Sequence, residues 1–186
     1  TMWDSVVNGK CGITRVTLFD PTGYKCQLGG EIKNLDVSAF IAEKERRRMD
    51  DNCVYAIIAY EEARKDAGLP ADFRSEESTI DPDMVGVCIG SGIGGMRTIE
   101  SQSGVFHLKG PGRVSPFMIP MLIANMASGM VSMRCGAMGA NFTCVSACAS
   151  GSHAIGASFQ AIRSGEVDMM ITGGTEASIS GLGYAG

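Results

Sequence analysis

Apolar positions along the chain fall into two kinds of run. Over residues 50–67, Cys53, Ala56, Ile57, Tyr60, Ala63 and Ala67 recur at helical spacing, with Glu61, Glu62, Lys65 and Asp66 around them. One apolar stripe on a polar cylinder predicts an amphipathic packing helix, closed by Gly68 and Pro70. Met84-Val-Gly-Val-Cys-Ile-Gly90 is by contrast a near-continuous apolar run, as a strand buried on both faces of a parallel sheet requires. Val167-Asp-Met-Met-Ile-Thr-Gly-Gly174 reads as a second such strand. The stretch from Asn141 starts β-branched, aromatic and small, and predicts a third, short strand. It then passes through small residues into Ala-Ile-Gly-Ala-Ser-Phe-Gln-Ala-Ile-Arg, which opens a helix.

Residues 114–138, rich in Met, Ile and Leu, predict a core helix in part, and their methionines suit an adaptable apolar surface. Weaker patterns suggest a short helix over 2–8 ended by Asn8-Gly9, a strand over 24–33, a brief helix over 36–41 and a polar loop over 71–83. Strands alternating with helices indicate a layered α/β fold.

Composition narrows the classes. A chain of 186 residues accommodates one domain with a sizeable core, and a net charge of −4 argues against a general nucleic-acid binder. The seven cysteines (11, 26, 53, 88, 135, 144, 148) are odd in number and contain no Cys-x-x-Cys pair. With only His107 and His153 beside them, no structural metal site is expected, and a reducing, cytoplasmic setting fits best. The N-terminus has no apolar signal region, and no apolar run is long enough for a membrane span.

Three places carry candidate chemistry. Cys148 stands at the junction of the third strand and the helix after it. Unpaired N–H groups and the positive dipole end of a helix favour thiolate, the nucleophilic form. The small neighbours Ala147, Ala149, Ser150 and Gly151 let a carbonyl approach and leave backbone N–H groups to hold an oxyanion. Cys144, inside the strand, reads as a small buried hydrophobe. His153, five residues past Cys148, lies roughly 500° around the helix at about 100° per residue, so it reads as a satisfied internal histidine. Gly90-Ser-Gly-Ile-Gly-Gly95 fits the Gly-x-Gly-x-x-Gly pattern of dinucleotide sites. Its context fails, because Ser101-Gln-Ser-Gly and Lys109-Gly-Pro-Gly-Arg read as loop where a helix should follow at once. Lys44-Glu-Arg-Arg-Arg48 is a basic cluster in an acidic chain, which is either a solvated helix face or a docking surface.

Val145-Ser-Ala-Cys-Ala-Ser-Gly-Ser-His-Ala-Ile-Gly156 resembles the active-site segment of the β-ketoacyl-acyl-carrier-protein synthases, most closely the elongating synthase II type. Gly90–Gly95, Val114-Ser-Pro-Phe-Met-Ile-Pro120, Asn125-Met-Ala-Ser-Gly129 and Gly173-Gly-Thr-Glu-Ala177 follow in the family's order and spacing, so the likeness covers nearly the whole chain. It implies a thiolase-like α-β-α layered fold, of which residues 1–186 are the N-terminal half, without the family's first strand. It implies Cys148 as the acyl-accepting nucleophile, followed by decarboxylative condensation with malonyl-acyl-carrier protein. Ile93 would gate the acyl pocket, Ala147 would border it, and Met118 would reach toward the partner's pocket across a homodimer interface. Lys44, Arg47 and Arg48 would dock the acidic carrier protein, through complementarity that speeds encounter. Glu176 would be structural support near the site. The resemblance implies no cofactor of the enzyme's own, since substrates ride on the carrier's phosphopantetheine. The family's two further histidines, its lysine and a last oxyanion N–H lie beyond Gly186, so the chain alone is expected not to condense. A polyketide-type ketosynthase shares these motifs. A non-catalytic chain-length subunit is the other alternative, and Cys148 counts against it.

Overall fold

The computed structural model describes residues 2–186. Helix α1 (Met2–Val7) ends at Asn8, with Gly9 in the left-handed region at φ 61°, as the sequence suggests. The strand expected over 24–33 shrinks to two residues. β1 (Thr14–Arg15) pairs antiparallel with β2 (Leu28–Gly29), and the ladder stops because the Glu31 carboxylate takes the Thr17 and Leu18 N–H groups at 2.7 and 2.9 Å. Residues 36–41 form a turn rather than a helix. The Asp36 carboxylate accepts the Ser38 N–H at 3.1 Å and its hydroxyl at 2.6 Å, a local bond that competes with helix propagation.

A single helical turn, α2 (Glu43–Arg46), precedes α3 (Asp51–Asp66), whose N-cap Asp50 accepts from the Asn52 N–H at 3.4 Å. The buried face of α3 is wider and shorter than the predicted stripe. Asn52, Val54 and Ile58 join Cys53, Ala56, Ile57 and Tyr60, whereas Ala63 and Ala67 are exposed. Only the N-terminal two-thirds of this helix lies in the core.

Strand β3 (Val85–Gly90) is buried along its whole length, and its alternation sorts the layers. Val85, Val87 and Ile89 join a core with Val54, Ile57, Ile58 and Tyr60 of α3. The intervening Gly86, Cys88 and Gly90 carry little or no side chain toward the opposite face, where a helix can approach closely. Helix α4 (Met96–Lys109) then takes in residues 101–104, expected as loop, whereas residues 110–113 do leave the helix and form only a short 3-10 turn. Only Thr98 of α4 is buried, so no apolar stripe betrays the helix. Polar links hold it instead: the Thr98 N–H and hydroxyl donate to the Asp50 carboxylate at 2.9 and 2.6 Å, and Arg97 pairs with Asp51. Gly110, at φ 81°, ends it.

The methionine-rich stretch breaks into α5 (Met118–Leu122) and α6 (Met126–Cys135), and α6 packs its Ala127, Val131 and Cys135 into the same core. Two-residue β4 (Asn141–Phe142) precedes α7 (Ser150–Arg163), β5 (Met169–Gly174) and α8 (Gly181–Ala185). The parallel sheet has the order β4-β3-β5, with β3 and β5 in register from Val85↔Met169 to Gly90↔Gly174. Helix α7 covers one face of β3 and β5, while α6 backed by α3 covers the other face of β3. The layering is the expected α-β-α arrangement. Among the described residues no helix is long and apolar enough to cross a membrane.

Candidate active site

Strands β3 and β5 both end in glycine where the first turn of α7 crosses them, at the carboxyl edge where open α/β sheets place their sites. A Cβ on Gly90 would overlap the Ser150 carbonyl and stand 2.8 Å from the Gly151 nitrogen. A Cβ on Gly174 would stand 2.9 Å from the Gly151 Cα. Strand ends and helix start therefore meet backbone to backbone.

The chain reaches α7 through a tight turn. Ala147 adopts φ 50°, a left-handed conformation that costs a non-glycine residue about 1 kcal/mol or more. The surroundings enforce it. The Ser150 side chain is buried; its Oγ accepts the Ser146 N–H at 2.8 Å and donates to the Ala147 carbonyl at 2.7 Å. The Ala149 and Ser150 N–H groups close the turn on the Ser146 and Ala147 carbonyls at 3.0 and 3.1 Å. Cys148 is left exposed at the tip, just ahead of α7.

The thiol opens into a cavity of about 530 Å³. Gly90, Ser91, Gly92 and Ile93 form one wall, Ala147, Cys148, Ser150 and Gly151 another, and Gly174, Thr175, Glu176 and Ser178 a third. One oxygen of Glu176 accepts the Gly92 and Ile93 N–H groups at 2.7 and 3.3 Å, and the other accepts the Ser91 hydroxyl at 3.4 Å. Ser91 Oγ in turn accepts the Gly94 N–H at 3.0 Å. This bears on the dinucleotide pattern. A helix does follow the glycine loop, contrary to the sequence reading, but the loop's N–H groups are already held by a carboxylate of the protein. A phosphate would meet a negative charge instead of free donors.

Cys148, Ala147 and Ile93, predicted as nucleophile and pocket residues, thus line one cavity. Met118 is half-buried on α5 and lines no part of it. The basic cluster lies apart. Arg47 pairs with Glu43 at 3.1 Å in full solvent, the Arg48 guanidinium sits 4.5 Å from the Phe117 ring centre, and Lys44 and Arg48 flank a separate hollow of about 320 Å³. His153 is satisfied, through a 2.7 Å bond from Nδ1 to Ser146 Oγ, but it is exposed rather than internal, because it falls on the outer side of α7. Cys144 is half-buried and its sulfur lies 4.0 Å from that of Cys88, whose thiol burial pushes up to about 12.

Two contributions escape a reading by motif. Ser150 counts in the sequence only as a small neighbour; the N-cap position is Ala149, without a side-chain cap, so no capping pattern marks the brace that Ser150 places on the turn before it. Glu176 is foreseen as support, but its partners lie 84 residues away at Gly92 and close by there, where no local spacing marks them.

The chain matches the family described as "Beta-ketoacyl synthase, N-terminal domain" over residues 1–186. It is 45% identical to the 3-oxoacyl-[acyl-carrier-protein] synthase 2 of Synechocystis over 99% of this chain and 43% of that protein. It is 47% identical to the Staphylococcus aureus protein of the same name, over 100% of this chain and 45% of that one. Among solved structures, a β-ketoacyl synthase from Burkholderia phymatum superposes with a TM-score of 0.81 at 28% identity, covering 98% of this chain and 45% of the other. The ketosynthase of a type II polyketide synthase, solved in complex with its acyl-carrier protein, gives 0.75 at 27% identity, covering 83% and 43%. The chain thus spans under half the length of the relatives it matches.

Proposed function

Because the chain belongs to the β-ketoacyl synthase family, we propose that it carries the acyl-accepting half of a condensing enzyme of fatty-acid synthesis, with Cys148 as the nucleophile. The observation that carries the reading is the placement of an exposed thiol on an enforced turn at the start of α7, opening into a largely apolar cavity. The Cys148 sulfur attacks the thioester carbonyl of an acyl group delivered on the phosphopantetheine of an acyl-carrier protein. The C–S bond to the carrier breaks, the carrier thiol leaves with the proton, and the acyl group stays on Cys148. The Ala149 and Ser150 N–H groups are spent on the turn, so the oxyanion that forms on the way falls to the remaining N–H groups at the start of α7. Lys44, Arg47 and Arg48 supply a positive face to an acidic carrier. Met118 and the rest of the methionine-rich segment are assigned to a homodimer interface.

The second half-reaction needs more than this cavity offers. Decarboxylation of a malonyl group requires a donor or cation at the developing carbanion, and the lining holds no histidine, lysine or arginine. His107 and His153 are both outside it. On this reading Cys148 takes up the acyl group, and condensation calls on groups that this cavity does not contain. The fatty-acid reading is preferred over the polyketide one because the relatives named for fatty-acid synthesis are 45–47% identical, against 27% for the polyketide ketosynthase.

The test is acyl transfer from an acyl-carrier thioester, followed by mass spectrometry of the cysteine peptides. One acyl group on Cys148, absent in Cys148→Ala, is expected, with no β-ketoacyl product from the chain alone on adding malonyl-carrier protein. Equal loading of Cys148→Ala would refute the assignment.

A further inference from the structure

We infer that Glu176 is a positioning residue that holds Ile93 across the thiol's cavity and thereby sets the length of acyl chain admitted there. The inference rests on the reading of Cys148 as the acyl acceptor.

The loop from Ser91 to Gly95 has left the sheet and must find other partners for its backbone. Its far end is pinned by backbone: the Gly95 N–H donates to the Leu122 carbonyl at 2.9 Å, and Gly94 packs against Ala124 with its φ at 78°. Its near end, at Gly92 and Ile93, is held by one side chain, whose oxygen takes both N–H groups. Bonds from N–H groups to a carboxylate are among the stronger ones a loop can make. Gly92 is fitted to this carboxylate, since a Cβ there would stand 2.9 Å from the same oxygen.

Packing does not substitute for that hold. Ile93 is 47% exposed, so packing fixes it only in part, and its direction follows from its backbone. The base of the clamp, by contrast, is rigid. The Thr175 N–H donates to the Gly90 carbonyl at 2.9 Å and its hydroxyl to the Asn52 carbonyl at 2.7 Å, so the residue before Glu176 is bonded both to the end of β3 and to α3. Glu176 and Ser178 also line a second hollow of about 130 Å³ beside Leu18 and Tyr55. The Glu176 side chain is thus part of the wall between two spaces. Removing it frees Ile93 and opens that wall, and both changes lengthen the room in front of the thiol.

The experiment uses the full-length protein with Glu176→Ala and Glu176→Gln. Two readouts are taken: amide hydrogen exchange at Gly92 and Ile93, and the ratio of palmitoyl to octanoyl loading on Cys148 from carrier thioesters. Glu176→Ala is expected to speed exchange about tenfold, as the loss of bonds to a charged acceptor implies. It is also expected to raise the palmitoyl-to-octanoyl ratio at least about tenfold, the low end of what an apolar pocket discriminates for a single methylene. Glu176→Gln keeps an oxygen for both N–H groups and should restore most of each effect. A merely structural role would lower both loadings alike and leave their ratio unchanged, which overturns the inference, as does unaltered exchange in Glu176→Ala. Failure of the unmodified protein to load either chain overturns the acyl-acceptor reading, a result separate from an unchanged ratio.

Discussion

Replacing Gly90 by alanine puts a methyl group where the backbone at the start of α7 already stands. The added carbon overlaps the Ser150 carbonyl, whereas ordinary carbon contacts begin near 3.4 Å. Backbone cannot rotate aside as a side chain can, so the first turn of α7 must retreat from β3 by about 1 Å. Overpacking of this kind costs about 2–3 kcal/mol, which for a chain of this size lowers the melting temperature by about 5–10 °C. The functional loss should exceed the stability loss. The displaced turn carries Cys148, and a misplacement of about 1 Å at a reacting group costs about a hundredfold in rate. Gly104 supplies the control: it lies in α4, is exposed, and has nothing within 4 Å of its ideal Cβ. Gly104→Ala should stabilise by about 0.5–1 kcal/mol through helix propensity alone. The assays are thermal unfolding by circular dichroism and acyl loading of Cys148 in the full-length protein. A Gly90→Ala variant melting within about 1 °C of the parent and loading at the parental rate would refute the close-contact argument.

Ser150→Ala removes both side-chain bonds that brace the turn, leaving the Ser146 N–H short of a partner while the Ala147 carbonyl keeps the Ser150 N–H; a loss of about 1–3 kcal/mol in chemical denaturation is expected. Brief alkylation at mild alkaline pH, mapped by mass spectrometry, should mark the exposed Cys11, Cys26 and Cys148 and spare Cys53 and Cys88, whose thiols burial pushes up to about 12. The same shift at Cys53 contributes stability that is fully present below pH 9 and is lost as pH rises toward about 12, because the unfolded thiol ionises first; denaturation midpoints should fall across that window. The Asp72 carboxyl, held at about 2 by its hydrogen bonds from Arg74, should titrate nearer the ordinary carboxylate range in Arg74→Ala, as followed by NMR.

How much of this was legible in the residues depends on whether a feature leaves a local trace. Val85–Gly90 reads correctly because burial on both faces demands an unbroken apolar run, and the start of α7 because small residues give way to a helical pattern. Helix α4 leaves no such trace: its only buried residue is Thr98, and its serines and Gly104 look like loop. The strand over 24–33 has strand composition but loses its ladder to a side chain, Glu31. At the site, Cys148 announces itself by its junction, while the motif resemblance brought in Ile93. The Glu176 bonds join residues 84 positions apart that meet only because β3 and β5 lie parallel and in register, so no reading along the chain reveals them.

The contact of Gly90, Gly151 and Gly174 also governs how this chemistry could be moved to another protein. A designer who transplants residues 146–153 onto a new strand–helix junction copies the thiol and its turn, but not the bare strand ends against which that turn is calibrated. With a side chain at either strand end, the grafted helix would float off its seat, by about half an ångström at the second strand and about one at the first. The smallest portable unit is therefore three segments distant in sequence, and its defining parts are two places where nothing projects.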